Sequence, residues 1–102
     1  TDKAIASYKQ TPTLIYKQRY LVMKNMKQVH NVIRQNTLDY TTNLNLLKPD
    51  YLVHGDDWKK GIQKKIRLKA IKTLKKWSGK LIEPKYTKNI SSSFIKKKIK
   101  NL

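Results

Sequence analysis

Two short segments gather residue types that can do chemistry. The first, His54-Gly55-Asp56-Asp57-Trp58, sets a glycine and two carboxylates directly after an apolar run. Glycine lets the backbone turn tightly and approach a ligand. The two carboxylates could accept sugar hydroxyls or hold a hydrated Mg²⁺. The same spacing equally suits a cap, with Asp56 or Asp57 favouring the positive end of the next helix. The second segment, Thr87-Lys88-Asn89-Ile90-Ser91-Ser92-Ser93, puts three hydroxyls at the entrance to a basic helix. Free backbone N–H groups and the helix dipole make such an entrance a ready anion site, and Lys85 and Lys88 add charge. One Ser capping the helix is the structural alternative.

The remaining candidates are weaker. His30 and His54 have no partner at metal-ligand spacing, so the residues define no metal site. Trp58 and Trp77 read as packing residues. There is no Gly-x-Gly-x-x-Gly and no Walker loop, so dinucleotide binding and P-loop hydrolysis have no support. Cysteine is absent, which excludes disulfides, thiolate nucleophiles and zinc–thiolate sites.

The elements that must position these segments follow from the apolar pattern. Residues 1–14 lack a clear period and contain Pro12, so a loop is expected there, with Thr1 and Asp2 ending a strand. From Ile15 to Lys27 the spacing of Val22, Met26 and Val29, widened by Leu21, predicts a helix. Val29–Arg34 reads as a short strand, and Leu44–Leu47 as a short helix stopped by Pro49. Asp50–Gly55 is the best strand. Ile62, Ile66, Ala70, Leu74 and Trp77 predict a long helix over 59–78, with Lys64, Lys65, Lys69, Lys72, Lys75 and Lys76 on its solvent face. Gly79 stands where a left-handed cap belongs. Lys80–Glu83 predicts a third strand ended by Pro84, and Ser91 is expected to cap a last helix that buries Phe94, Ile95 and Ile99. Such alternation predicts one α/β domain over residues 1–102, with a parallel sheet. Three strands make a thin sheet, which suits a missing N-terminal βα unit. Position 1 is Thr, as in a fragment.

Charge is extreme and unevenly placed. The net charge is +18. Residues 1–58 hold six Lys and two Arg against five Asp, giving +3. Residues 59–102 hold fifteen Lys and one Arg against Glu83, giving +15. Such a half attracts polyanions through its long-range field. Yet Lys (21), Ile (10) and Asn (7) are abundant while Arg (3) is scarce, as in an AT-rich coding sequence. Arg is the usual choice for bidentate phosphate and base contacts. The lysines therefore read mainly as solvated helix faces. No apolar run approaches the ~20 residues of a membrane span, and no secretory signal is present, so the expected address is cytoplasmic.

Taken together, Lys48-Pro-Asp-Tyr-Leu-Val-His-Gly-Asp-Asp-Trp58 and Thr87-Lys-Asn-Ile-Ser-Ser-Ser-Phe-Ile95 resemble the paired motifs of the cytidylyltransferase-like nucleotidyltransferases. Thr1-Asp-Lys-Ala-Ile-Ala-Ser-Tyr-Lys9, Tyr16-Lys-Gln-Arg19 and Gln35-Asn-Thr-Leu-Asp-Tyr40 extend the likeness over nearly the whole chain. It is strongest to the cytidylyltransferase domain that precedes phosphoenolpyruvate mutase in phosphonate-synthesising proteins. The departures are few. Asn89 replaces the usual Gly, and Tyr86 the Arg that opens the second motif in many members. The family's His-x-Gly-His signature would lie before Thr1.

The resemblance implies a Rossmann-like nucleotidyltransferase fold with a parallel sheet. It implies transfer of CMP from CTP to a small phosphate or phosphonate acceptor, with release of pyrophosphate, though not by the chain as it stands, which lacks the His-x-Gly-His unit. By the family pattern, Lys9 and Arg19 would be catalytic, lying over the acceptor or triphosphate. Gly55 and Asp56 would sit beside the nucleoside, and Ser91, Ser92 and Ser93 at the triphosphate. Mg²⁺ would bridge the phosphates, held mainly by CTP. A homodimer and a fused mutase domain are among the arrangements it allows; specific nucleic-acid and membrane partners are not expected. A second reading, from another class, is a non-catalytic basic module that engages nucleic acid or other polyanions.

Overall fold

The computed structural model describes residues 1–102. Five α-helices and two strands follow the order α1 (Asp2–Ala6), α2 (Tyr16–Lys24), α3 (Thr41–Leu47), β1 (Tyr51–Val53), α4 (Lys64–Leu74), β2 (Lys80–Ile82) and α5 (Ser92–Lys100). β1 and β2 are parallel, with Tyr51, Leu52 and Val53 opposite Lys80, Leu81 and Ile82. The expected α/β character holds, but the sheet has two strands, not three.

The segment predicted as a strand at Val29–Arg34 joins no ladder. Its backbone groups go elsewhere. The Val32 N–H bonds to Asn31 Oδ1 (2.9 Å), and the Arg34 carbonyl accepts from Asn43 Nδ2 (3.1 Å). The neighbouring Gln35 carbonyl accepts from the chain's own terminal ammonium at 2.8 Å. A strand needs an adjacent edge, and side chains have taken that role here.

The N-terminal expectation is also corrected. Residues 2–6 are helical, because the Thr1 hydroxyl accepts from the Ala4 N–H (3.2 Å) and Asp2 lies in the first turn. α2 is shorter than the apolar spacing suggests. Asn25 turns its side chain onto the Leu21 carbonyl (2.7 Å), competing with the helix ladder and leaving Met26 outside it.

The predicted helix over 59–78 is divided. Short 3₁₀ turns cover Asp56–Trp58 and Gly61–Gln63, with Gly61 at φ +76° opening the second, before α4 begins. A third turn, Lys75–Trp77, closes α4. The left-handed residue there is Ser78 (φ 62°), not Gly79. Gly79 is needed for space instead. A Cβ on it would lie 2.9 Å from the Pro49 carbonyl oxygen, Leu74 Cδ2 and Trp77 Nε1. Trp77 does pack there, donating to that same Pro49 carbonyl at 2.8 Å.

The core is one cluster of Leu44, Trp58, Ala70 and Leu74, with Tyr40, Leu52, Ile66, Trp77 and Leu81 against it. It fills the space between α3, α4 and one face of the strand pair. The other face leaves Tyr51, Val53 and Ile82 exposed. α5 contradicts its predicted role as a buried helix: Phe94, Ile95 and Ile99 are 41%, 52% and 61% exposed. No helix is long and apolar enough to cross a membrane.

Candidate functional site

The segment after α1 and the start of α5 meet around a cavity of about 550 Å³. Lys9, Gln10, Thr11 and Thr13 line one side, Arg19 of α2 joins them, and Ser92, Ser93 and Lys96 form the α5 wall. No carboxylate lines it. Lys9 and Arg19 thus meet Ser92 and Ser93 from more than seventy residues away in the chain.

Each wall has a local cause. Asn89 takes φ 61°, the left-handed conformation that its short amide side chain tolerates, so the loop can turn where Gly is usual. Ser91 is extended, and its hydroxyl accepts from the Phe94 N–H at 3.0 Å. The three serines therefore divide their work: Ser91 caps α5, while Ser92 and Ser93 face the cavity. Lys85 and Lys88 do not line it.

Arg19 is held in place before any ligand arrives. Its guanidinium pairs with Asp2, and its Nε donates to the Leu14 carbonyl at 3.0 Å. Asp2 also accepts from the Tyr16 N–H at 3.1 Å, so one carboxylate ties α1 to the first turn of α2. That backbone bond, with the Arg19 contact, holds the Asp2 carboxyl below its ordinary range. Asp2 thereby answers Arg19's charge within the chain. Lys9 and Lys96 have no acidic partner, the four ion pairs being Arg19–Asp2, His54–Asp57, Arg67–Glu83 and Lys69–Asp39.

Gly55 and Asp56 lie elsewhere. They follow β1 and fasten the loop that leaves β2. The Asp56 N–H donates to the Pro84 carbonyl (3.2 Å), and Asp56 Oδ1 accepts from the Tyr86 N–H (3.0 Å). The Tyr86 ring lies 3.5 Å from where a Gly55 Cβ would stand. This pair occupies the carboxyl ends of both strands, where open α/β sheets place their ligands, but it does not border the cation-lined cavity. Neither Asp56 nor Asp57 caps a helix through its side chain. Beside them His54 stacks on Trp58 (3.8 Å, 12°), and Tyr40 meets both rings edge-on.

Beneath that stack is a hub that no sequence motif announces. Glu83 Oε2 accepts from Trp58 Nε1 (2.7 Å) and Arg67 Nε (2.9 Å), and Oε1 accepts from the other Arg67 nitrogen at 2.8 Å. The Arg67 contact is the main reason that the Glu83 carboxyl is depressed to about 2. Lys96 was missed too, although its i, i+4 spacing from Ser92 places both on one helix face.

No three His, Cys, Asp or Glu side chains come together as a cation site. The cavity offers only hydroxyl, amide and cationic groups, so the chain's own residues do not fit the Mg²⁺ that the resemblance implies.

A parallel strand pair linked through a helix, with a cavity of cations and hydroxyls at one helix entrance, defines an α/β protein suited to a phosphate-bearing ligand. Residues 1–98 match the family model described as cytidylyltransferase-like, and the chain belongs to that family. Membership points to nucleotidyl transfer as the general chemistry. A search of curated proteins finds no match to the chain.

Proposed function

We propose that the chain serves a cytidylyltransferase reaction, in which CMP passes from CTP to a phosphate or phosphonate oxygen. The acceptor oxygen bonds to the α-phosphorus as the bond to the bridging oxygen breaks. The electron pair leaves with pyrophosphate. Such chemistry needs positioning and charge neutralisation more than covalent participation. The observation that carries this reading is the single cavity shared by Lys9, Arg19, Ser92 and Ser93.

In this reading Ser92 and Ser93 donate to the β- and γ-phosphates, and Lys9 and Arg19 face the charge that develops on transfer. Gly55 and Asp56 act by holding the loop from Pro84 to Tyr86, and so the chain's approach to the serines. The nucleoside then lies against the strand ends.

The Ser92→Ala/Ser93→Ala double variant tests the assignment, since Ser91 remains to cap α5. Each lost bond to a charged group is worth about 1.5–3 kcal/mol, so calorimetric affinity for CTP should fall at least ~10-fold. CMP, without β- and γ-phosphates, should change far less. Unchanged CTP affinity, or equal loss of CMP, would overturn it.

A further inference from the structure

The cavity does not end at Lys96. A second hollow of about 620 Å³ shares Gln10 and Lys96 with it and continues along α5 past Lys97, Ile99 and Lys100. At 1.5 Å per residue, the wall from Ser92 to Lys100 runs about 12 Å. Lys9, Arg19, Lys96, Lys97 and Lys100 stand along this groove, and no carboxylate lines it. None of its four lysines is in an ion pair. A triphosphate seated at Ser92 and Ser93 leaves Lys97 and Lys100 unused.

We infer that the groove along α5 binds a linear chain of phosphates longer than a triphosphate. The inference rests on the nucleotidyl-transfer reading of the adjoining cavity. Nucleic acid fits less well. No aromatic ring lines the groove to stack a base. Lysine offers a point charge and not the planar fork that reads base edges, and the only arginine there is already engaged by Asp2. Mobile lysines spaced along a helix suit a bare phosphate chain, whose binding gains from released counterions.

Calorimetry on the full chain at fixed salt, with inorganic triphosphate and with medium-chain linear polyphosphate, tests this. The longer probe should bind at least ~10-fold more tightly per chain, as expected when further lysines release counterions. Lys97→Gln/Lys100→Gln should erase most of that advantage and leave triphosphate affinity within about twofold, since the two lysines lie beyond its seat. Lys65→Gln/Lys72→Gln on α4, with the same charge change, should preserve it. Ser92→Ala/Ser93→Ala should weaken both probes alike. If those serines leave triphosphate binding untouched while the Lys97/Lys100 effect persists, the nucleotide reading fails and the groove stands. Equal affinity for both probes, equal losses in the α4 variant, or equally tight binding of single-stranded DNA of matched charge would overturn the groove. Helical circular dichroism of each variant separates a lost contact from a lost fold.

Discussion

The unit from α3 to β2 and the rim formed by α1, α2 and α5 are built differently from similar residues. The first closes an apolar cluster around Trp58 and Leu74, 0% and 1% exposed, and ties the partly buried Glu83 carboxylate at its edge to Arg67 and the Trp58 indole. The rim buries no residue of α2 or α5 and only Ala4 of α1. Polar ties hold it: the terminal ammonium on the Gln35 carbonyl, and Asp2 on Arg19 and the Tyr16 N–H. Burial supplies most folding free energy, whereas a solvated polar tie nets little. The contrast teaches that stability resides in the unit, and that the residues lining the cavity stand on a rim held by polar ties and not by burial.

The sharpest way to break that division is at Trp58. Trp58→Ala should cost about 4 kcal/mol in urea unfolding, from the cavity it leaves and the loss of its bond to Glu83. Ser92→Ala/Ser93→Ala should change stability by less than ~0.5 kcal/mol while weakening CTP. Comparable stability losses in both would deny that the regions differ.

Next in size is the Glu83 hub. Glu83→Ala leaves Arg67 and the Trp58 N–H without their partner and should cost about 3 kcal/mol. The sign with pH follows from the depressed carboxyl. Its stabilisation is present above its ordinary value of 4.5 and is lost as pH falls through about 2. Denaturant midpoints measured across that acid range should decline steeply in the parent and more gently in Glu83→Gln. A parent curve as shallow as that of the variant would remove the hub from the account.

The smallest effect sharpens the comparison from the other side. Lys65 and Lys72 of α4 and Lys76 of the turn that closes it are exposed and are in no ion pair. Each changed to Gln should alter stability by less than ~0.5 kcal/mol in thermal melts. Neutral lysines on the unit would stand against the role proposed for those on the rim. A loss above 1 kcal/mol, taken as well outside that ~0.5 kcal/mol range, would show that the α4 lysines support the fold.

Much of the unit was legible in the sequence because local rules and burial agree there. The Ile66–Ala70–Leu74 period and the DYLVHG run both mark true elements. The rim was read less well. Val29–Arg34 has strand composition but no neighbouring edge, and α5 has an amphipathic period but no surface to bury it on. Both need a partner that sequence pattern presumes and only packing supplies.

The sequence by itself determined the motif residues and their order, the lysine excess of the second half, and the cap that starts α5. These depend on neighbours within a few positions, so short-range chemistry settles them. Tertiary structure alone decided that Ser92 and Ser93 meet Lys9 and Arg19 while Gly55 and Asp56 do not, and that Glu83 would join Arg67 to Trp58. Those groups come together only when the chain closes on its core. No local spacing encodes which distant side chains that closure brings face to face.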